Sequence, residues 1–449
     1  MTASLLGRIE GNVYLPGEAG YEVVRLPWRR NVDPRPSIVA QPADASGVQA
    51  VVRAARDAGL ALSVQATGHG TLSCPDGGVL LNTSLLADVR VDPARQVAVA
   101  GAGATWEDVC KASTPYGLAP LSGTSPAVSV AGYTLGGGVG WLGRKYGLAA
   151  DSLLRAEVVD AQGLSRVAGH GEDLLWALRG GSGNFGVLTE LEFRLYPVDE
   201  MYGGSAFYPV DRAETILRAF GEHAAEDRDE LTVMLVLIRL PDLPQLPEPL
   251  RGKAVLGIRA CYAGPADQAE FAMAPLLAAA GEPVLGGFGP MRFADTARLA
   301  APHPGPQLSE EYAGQVESLS DSVRHALLAE ITDTRSPVTV VEIRHWGGAL
   351  ADPPPDHGPA TPRGAHFSIV AVAPELSAQT IPAAQDRLAR LAGVLEPETT
   401  GAAFLNFLSD TTKTRTAYRP EDYARLARLK RIHDPDNVLR FNHNIPPEL

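Results

Sequence analysis

A run of glycines at residues 136–140, Gly-Gly-Gly-Val-Gly, constrains the fold of this chain more than any other feature of its sequence. Glycine loses more backbone entropy on folding than other residues, so three in succession are costly in an ordered protein. A long flexible loop is one interpretation, but apolar Val139, Trp141 and Leu142 lie among the glycines and favour a packed segment. We therefore expect the backbone here to approach something flat or bulky.

A second glycine-rich segment, residues 181–186, reads Gly-Ser-Gly-Asn-Phe-Gly and matches the dinucleotide-binding pattern G-x-G-x-x-G. That pattern indicates a Rossmann fold only when a strand precedes it and a helix follows it. Here a helix-like segment, 172–179, precedes the glycines and a strand-like segment, 187–193, follows them. Because the order is reversed, the sequence argues against a Rossmann domain.

A third segment, residues 64–70, reads Val-Gln-Ala-Thr-Gly-His-Gly, in which a strand ends in a turn of small residues. Backbone N–H groups in such a turn can approach phosphate oxygens closely. Taken alone, the segment is better interpreted as a tight turn that carries a solvated histidine, His69.

Residues 37–200 show short apolar runs bounded by Gly, Asp and Pro, interleaved with helical patterns, which predicts an α+β domain with several short strands. Asp44 is a candidate N-cap for the first helix. The predicted strands are 37–40, 62–64, 79–81, 89–91, 97–100, 156–159 and 188–193, and the predicted helices are 43–54 and 106–116.

After residue 197 the strands become longer and the helices become rich in alanine, which predicts an antiparallel sheet covered by helices on one side. The last forty residues differ again, with a helix rich in Arg and Leu. The predicted strands are 232–240, 253–262, 338–345 and 366–372, and the predicted helices are 213–225, 266–280, 377–395 and 420–433.

Composition excludes several function classes. The 449 residues carry a formal net charge of −13 and no basic run, so nucleic-acid binding is not expected. No stretch approaches ~20 consecutive apolar residues, and residues 1–11 do not resemble a signal peptide, so we expect no membrane partner. The three cysteines, Cys74, Cys110 and Cys261, have no metal-ligand or disulfide spacing, which fits the reducing cytoplasm and predicts no metal site.

Taken in order along the chain, these motifs resemble the vanillyl-alcohol-oxidase-type flavoproteins, and most closely the berberine-bridge-enzyme-like branch with its p-cresol-methylhydroxylase-type FAD-binding domain. The resemblance covers nearly the whole chain and is specific as an ordered set. It rests on Gly68-His69, residues 123–126, 132–140, 144–151 and 176–187, and Asp434-Pro435-Asp436-Asn437. It implies an α+β fold with a two-part FAD-binding domain at 34–198, a substrate domain at 199–409, and a segment at 410–449 that returns to the FAD domain.

The resemblance also implies roles for individual residues. His69 lies where the family attaches the flavin 8α-methyl group to a histidine nitrogen, and the loop around it would cradle the pyrophosphate. Val187 would contact the adenine end, and the C-terminal asparagines would close over the isoalloxazine. The implied FAD-binding residues are Gln65, Ala66, Thr67, Gly68, His69, Gly70, Gly123, Thr124, Ser125, Val128, Gly132, Gly136, Gly137, Gly138, Gly140, Tyr146, Gly186, Val187, Asn442 and Asn444.

Departures from the family pattern refine these expectations. Many members carry a second flavin link from a cysteine in Gly-x-Cys-Pro, but this chain has Ser125 there, so we expect a single covalent link through His69. The histidine common before the triple glycine is Tyr133. The C-terminal Tyr-x-Asn-Tyr strand, which often supplies a tyrosine base, reads Phe404-Leu405-Asn406-Phe407, and phenylalanine cannot take a proton.

The predicted strand 338–345 offers another base. Its alternation places Glu342 and Arg344 on one face and His345 on the other. Glu342 and Arg344 form either the wall of a site or an ordinary ion pair on a solvated face. We expect Glu342 to act as the base, with His345 as the alternative, and Tyr133 and Tyr146 to hydrogen-bond the substrate near the flavin.

We therefore expect an FAD-dependent oxidase of a small organic substrate, such as an alcohol, an amine or a secondary-metabolite intermediate. In the family, the residue that corresponds to Val128 tunes oxygen access, and its small side chain favours O2 as the acceptor. A dehydrogenase that uses another electron acceptor is the alternative. A binding protein that has lost the cofactor is a third hypothesis, although His69 and the glycine run argue against it.

Overall fold

The structure, a computed structural model, describes residues 9–198, 200–224, 228–300, 305–360 and 363–448. Eleven strands precede residue 199 in the described chain. They are β1 Gly11–Tyr14, β2 Ile38–Pro42, β3 Leu62–Gln65, β4 Val79–Asn82, β5 Val89–Asp92, β6 Val97–Gly101, β7 Leu118–Ala119, β8 Leu153–Val159, β9 Ser165–Ala168, β10 Val187–Arg194 and β11 Tyr196–Pro197.

Most helices of this part are short, and the longest has 13 residues. They are α1 Ala19–Val24, α2 Ala45–Asp57, α3 Trp106–Ser113, α4 Val130–Leu135, α5 Gly143–Tyr146, α6 Ala149–Ser152 and α7 Asp173–Leu178. As predicted, Asp44 caps α2, and its carboxylate accepts from the backbone N–H of Gly47 at 2.7 Å. The helix predicted at 106–116 is shorter in the structure: α3 ends at Ser113, and a 3-10 turn that contains Pro115 follows it.

Two sheets build this first part. In the smaller sheet, β2, β4 and β3 run parallel and β1 pairs antiparallel at the edge, in the order β1-β2-β4-β3. The larger sheet is antiparallel, in the order β5-β6-β10-β8-β9. The loop 66–70 follows β3 at the carboxyl ends of the parallel strands, where ligands commonly bind in α/β sheets.

A seven-stranded sheet forms the second part and is antiparallel at every pairing, in the order β15-β12-β14-β13-β17-β18-β16. Its strands are β12 Met201–Pro209, β13 Leu231–Arg239, β14 Ala254–Tyr262, β15 Leu285–Met291, β16 Glu310–Val316, β17 Val340–His345 and β18 Phe367–Ala373. Its helices are α8 Ala213–His223, α9 Ala266–Ala280, α10 Asp321–Thr332 and α11 Ile381–Leu395.

The two faces of this sheet have different neighbours. Alternate residues such as Val341, Ile343 and Ile369 pack against the four helices in one apolar core. Met234 and Cys261, which project from the opposite face, belong to the core of the first part. The predicted α+β fold, with an antiparallel sheet covered by helices on one side, is confirmed, and the uncovered face of the sheet is turned toward the glycine-rich loops.

The other predicted elements agree with the structure to within a few residues. The helix predicted at 377–395 begins at Ile381, and the end of the helix predicted at 213–225 lies outside the described residues, as do residues 199 and 449 at the expected domain limits. Residues 405–407 form a 3-10 turn rather than a strand. Among the described helices, none has the length and apolar character needed to span a bilayer.

The C-terminal helix α12, Pro420–His433, is fixed by a fully buried ion pair. Lys430 Nζ lies 2.7 Å from Asp434 Oδ2 and also donates to the carbonyl groups of Asn184 and Leu439. The Asp434 carboxylate in turn accepts from the N–H groups of Val438 and Leu439. This network directs the chain after α12 back across the first part of the molecule.

We predict that Lys430→Met lowers the free energy of unfolding by about 3 kcal/mol, because it leaves the buried Asp434 carboxylate without its cation. Chemical denaturation measures the loss. Lys413→Met, which removes an exposed lysine 3.9 Å from Asp410, is the matched control and should change stability by less than about 0.5 kcal/mol. Equal effects of the two substitutions would contradict the structural role of the pair.

Candidate functional site

The loop 66–70 presents a run of backbone donors. Within the described residues, the N–H groups of Ala66, Thr67, Gly68 and Gly70 donate to no acceptor. Gly68 has φ of +76°, and a Cβ there would lie 2.6 Å from Pro27 Cα, so only glycine fits. Successive amides that project from such a turn form a concave site for anions, which suits a pyrophosphate.

His69 lies half-buried at the end of this loop. Its Nδ1 lies 2.9 Å from Thr67 Oγ1, and its ring stacks on Trp28 with the ring centroids 4.3 Å apart. Thr67 Oγ1 also accepts weakly from the N–H of Ser129, at 3.4 Å. These contacts fix the imidazole orientation and join the loop to residues 123–129, which include half-buried Gly123, Thr124, Ser125 and Val128.

The glycine run forms a turn that follows α4. Gly137 and Gly138 have φ of +113° and +76°, a conformation that side chains disfavour. Asn406 closes over this turn: its Oδ1 accepts from Gly138 N at 2.9 Å, and its Nδ2 donates to Tyr133 O at 3.1 Å. A Cβ on Gly136 would meet the Asn406 amide at 2.5 Å.

Two further glycines differ in what surrounds them. A Cβ on Gly140 would lie 1.8 Å from Ser122 O, so Gly140 is required by protein packing. A Cβ on Gly132 would meet nothing within 4 Å, and Gly132 is exposed. Gly70 likewise faces open space. A side chain at Gly132 or Gly70 would therefore enter open space, which is compatible with a flat cofactor lying there.

Tyr133 lies between two of these glycines. A Cβ on Gly123 or Gly138 would lie 2.8 or 2.3 Å from its ring. Its hydroxyl is buried and has no hydrogen-bond partner in the described part of the chain. Burial raises the pKa of Tyr133 well above its usual value, so the phenol stays protonated.

The C-terminal asparagines have different roles. Asn442 Oδ1 accepts from the N–H groups of Leu72 and Ser73, at 2.7 and 3.0 Å, so this carboxamide fastens the segment that follows His69. Asn444 has a buried Oδ1 without a hydrogen-bond partner among the described residues. Asn444 thus retains an acceptor for a bound group, whereas Asn442 positions the loop.

Three expected cofactor residues lie in packed surroundings. Gly186 has φ of +150°, and a Cβ there would meet the Val158 side chain at 2.8 Å. Val187 begins β10 and is buried in the core beneath the smaller sheet. Tyr146 stacks on Tyr196 with the ring centroids 4.2 Å apart, and its described contacts do not include the glycine run.

The uncovered face of the seven-stranded sheet carries charge. Glu342 accepts from Arg344 Nη2 at 2.7 Å, and its other oxygen lies 3.7 Å from Arg259 Nη1. The Arg344 guanidinium also lies 5.1 Å from the ring centroid of Phe407, next to Asn406. The Glu342 and Arg344 side chains are only 22% and 15% exposed, so they are not an ordinary ion pair on a solvated face.

His345 lies on the opposite face of the same strand. Its ring packs between Phe220 and Phe367 in the helix-covered core, and its Nε2 lies 3.0 Å from Arg144 Nη1. This placement argues against His345 as a base, because the imidazole is directed away from the glycine-rich loops. The alternation of strand 338–345 had correctly separated it from Glu342.

Some site residues were not expected from the sequence. The sequence indicates Asn406 only as part of a modified motif and gives no signal for Arg259, which lies beside Glu342. Arg259 lies on the strand predicted at 253–262, but which strands become neighbours depends on long-range pairing. Single-sequence alternation gives the face of a residue within its strand and does not give the register across the sheet.

The described residues fit FAD at the points that can be tested. The loop 66–70 offers unused backbone donors, Gly132 and Gly70 border open space, and the Tyr133 hydroxyl and Asn444 Oδ1 are buried polar atoms without partners. Within the described residues, no cluster of three or more His, Cys, Asp or Glu side chains could hold a metal ion.

Comparison with known proteins agrees with this geometry. Residues 36–168 match the family model for an FAD binding domain, and residues 403–446 match the model described as berberine and berberine like. The chain is 30% identical to (R)-6-hydroxynicotine oxidase of Paenarthrobacter nicotinovorans over 98% of its length and 97% of that protein. An FAD-linked oxidoreductase of Dictyostelium discoideum is 34% identical but is matched over 48% of this chain and 49% of its own.

Solved structures show the same fold. The crystal structure of 6-hydroxy-D-nicotine oxidase from Arthrobacter nicotinovorans superimposes with a TM-score of 0.86, at 26% identity, over 98% of both chains. Berberine bridge enzyme from Eschscholzia californica gives a TM-score of 0.85 over 100% of this chain and 99% of its own. At 19% identity, the second likeness concerns the fold alone.

We predict opposite outcomes for two Gly→Ala substitutions. Gly132→Ala should leave thermal stability unchanged or slightly raised, because alanine favours the helix, but should lower the flavin-to-protein ratio by filling cofactor space. Gly140→Ala should lower the free energy of unfolding by about 1–3 kcal/mol through its clash with Ser122. Absorbance spectra and thermal unfolding measure both effects, and full flavin content in Gly132→Ala would contradict the assignment.

Proposed function

The chain belongs to the berberine-bridge-enzyme-like branch of the FAD-dependent oxidases, and we propose that it oxidises a small organic substrate, with FAD attached covalently to His69 and with O2 as the electron acceptor. FAD, when bound, accepts a hydride from the substrate and later passes the electrons on. The observation that carries the proposal is the loop 66–70, whose free amides and oriented imidazole are joined through Thr67 to Ser129, the residue before the helix α4 that leads into the glycine run.

Covalent attachment requires an imidazole nitrogen that is held in place and is neutral enough to act as a nucleophile. The Thr67 hydroxyl and the Trp28 ring restrict rotation of His69, so the side chain is positioned before the cofactor arrives. Ser125 occupies the position of the second attachment site in the family, and a hydroxyl does not form that link. His69 is therefore the single proposed anchor.

The substrate would lie between the glycine run and the Glu342 face of the sheet. Tyr133, kept protonated by burial, donates a hydrogen bond from the glycine side. The Glu342 carboxylate, oriented by Arg344 and Arg259, takes a proton from the donor group of the substrate. Phe404 and Phe407 replace the family tyrosines; Phe404 is buried and Phe407 half-buried, and both exclude water from this space.

Val128 is half-buried beside α3, where its carbonyl accepts from Trp106 N. Its small side chain supports O2 as the acceptor in this proposal, because the family controls oxygen access at this position. We also propose a cytoplasmic location, which the three unpaired cysteines support. Oxidation of secondary-metabolite intermediates fits the fungal FAD-dependent monooxygenases among the relatives.

We predict that the wild-type protein stays yellow after acid precipitation and that His69→Ala loses its flavin completely under the same treatment. Intact-protein mass spectrometry should show a mass gain corresponding to FAD on the wild type alone. His170→Ala, which changes a histidine that is 79% exposed, is the matched control and should retain the adduct. Flavin retained by His69→Ala after denaturation would show that another residue forms the link.

We predict that Glu342→Gln lowers kcat by about 10²–10⁴-fold, because the amide keeps the shape of the carboxylate but cannot accept a proton. The assay is hydrogen peroxide release across a screen of alcohols and amines that includes (R)-6-hydroxynicotine, so that it also tests O2 as the acceptor. Glu317→Gln, an exposed site at the end of β16, is the control. A kcat within about threefold of wild type would exclude Glu342 as the base.

A further inference from the structure

Four polar residues form a row across the uncovered face of the seven-stranded sheet. Arg259 pairs with Met234 across β14 and β13, and Met234 pairs with Arg344 across β13 and β17. Arg344 then pairs with Ser368, and Ser368 pairs with Gln315. Directly opposed residues in a sheet project to the same side, so all four face the same way as Glu342, two positions from Arg344.

Arg259, Gln315 and Ser368 are buried and Arg344 is half-buried, and all four are incompletely hydrogen-bonded. Gln315 and Ser368 are each 2% exposed. Both amide atoms of Gln315, the Ser368 hydroxyl and the Nε atoms of Arg259 and Arg344 have no hydrogen-bond partner within the described residues. Native proteins rarely bury this many polar groups in one place without a bound group or an ordered water to satisfy them.

Ser368 and Gln315 also line a small cavity. Its opposite wall is the segment that contains Phe404 and Phe407, which reaches the glycine run through Asn406. The two unsatisfied side chains therefore lie against the segment whose Asn406 contacts the glycine run. Phe404 and Phe407 carry no hydrogen-bonding side-chain groups, so Ser368 and Gln315 supply the polar side chains of this cavity.

The charges in this region do not balance. Two guanidinium groups, Arg344 and Arg259, share one carboxylate, Glu342, so the cluster carries a net charge of +1. No other carboxylate of the described residues lies within ion-pair distance of either arginine. Burial lowers the pKa of Arg259; the Glu342 carboxylate opposes this shift, and the neighbouring Arg344 guanidinium adds to it.

We propose that the substrate carries an anionic oxygen group, most simply a carboxylate, which is bound by Arg344 with Ser368 and Gln315 as neighbouring hydrogen-bonding groups. This inference rests on the proposed function, because it places the group in the same site. A carboxylate supplies the missing negative charge and accepts from the unused Nε–H and hydroxyl donors. An alcohol or amine that carries no anionic group would leave this charge unbalanced.

Benzoate and benzamide test the proposal, since they share size and shape and differ in charge. Isothermal titration of the holoenzyme should show that benzoate binds at least about tenfold more tightly than benzamide, as expected for a charge-assisted pair. Perturbation of the flavin absorbance by benzoate should give the same affinity. Equal affinity for the two ligands, or no benzoate binding at millimolar concentration, would overturn the inference.

Variants locate the binding. Arg344→Gln should abolish the preference for benzoate, and Ser368→Ala should weaken benzoate binding about threefold or more while leaving thermal stability unchanged or raised, because the lost hydroxyl has no protein partner. Arg298→Gln, which removes a charge that is 83% exposed, should have no effect. A benzoate preference that survives in Arg344→Gln would show that the anion binds elsewhere.

These outcomes are separable from a failure of the proposed function. A protein purified without flavin would contradict the cofactor assignment, but the calorimetric comparison of benzoate with benzamide would remain readable. Conversely, a covalently flavinylated protein that binds both ligands equally would keep the proposed function and exclude the anionic substrate.

Discussion

The two hydrogen bonds of Asn406 join the parts of the site that the chain builds separately. One amide group accepts from Gly138 and donates to Tyr133, so the 404–407 segment lies directly on the glycine run. The same segment places Phe407 against the Arg344 guanidinium on the sheet. Glycine at position 136 is required for this contact, since a Cβ there would collide with the amide. The spacing between the glycine run and the uncovered face of the seven-stranded sheet thus depends on the contacts of Asn406 and Phe407.

The sequence predicted the elements of this fold well because they are local. The capped helix at Asp44, the strands of the antiparallel sheet and the reversed order around residues 181–186 all follow from short-range patterns. The loop at His69 was ambiguous from its residues alone and gained a role only through the order of motifs along the chain. Local patterns predict which secondary-structure element a segment forms, whereas the prediction of a cofactor site at His69 depends on the order of several motifs along the chain.

The sheet side of the site illustrates what the sequence could not provide. Alternation separated Glu342 from His345, but either face of the strand could have been the one covered by helices. Phe220 and Phe367, from a helix and a neighbouring strand, enclose His345 and so decide which face remains for the site. Gln315 and Ser368 meet Arg344 only through pairings between strands that are distant in sequence, so no local signal could have identified them.

The cationic side chains discussed above fall into two groups, those whose hydrogen-bonding groups are satisfied within the protein and those that keep unused N–H groups. Lys430 has a carboxylate and two carbonyl groups around its ammonium, and Arg144 donates to the carbonyl groups of Leu231 and Trp346. Both are satisfied within the protein, as charges that serve only folding must be. Arg259 and Arg344 instead share one carboxylate and leave Nε–H groups unused. Since folding alone would favour satisfying these groups, their retention at the wall of the site is better explained by a ligand that completes them.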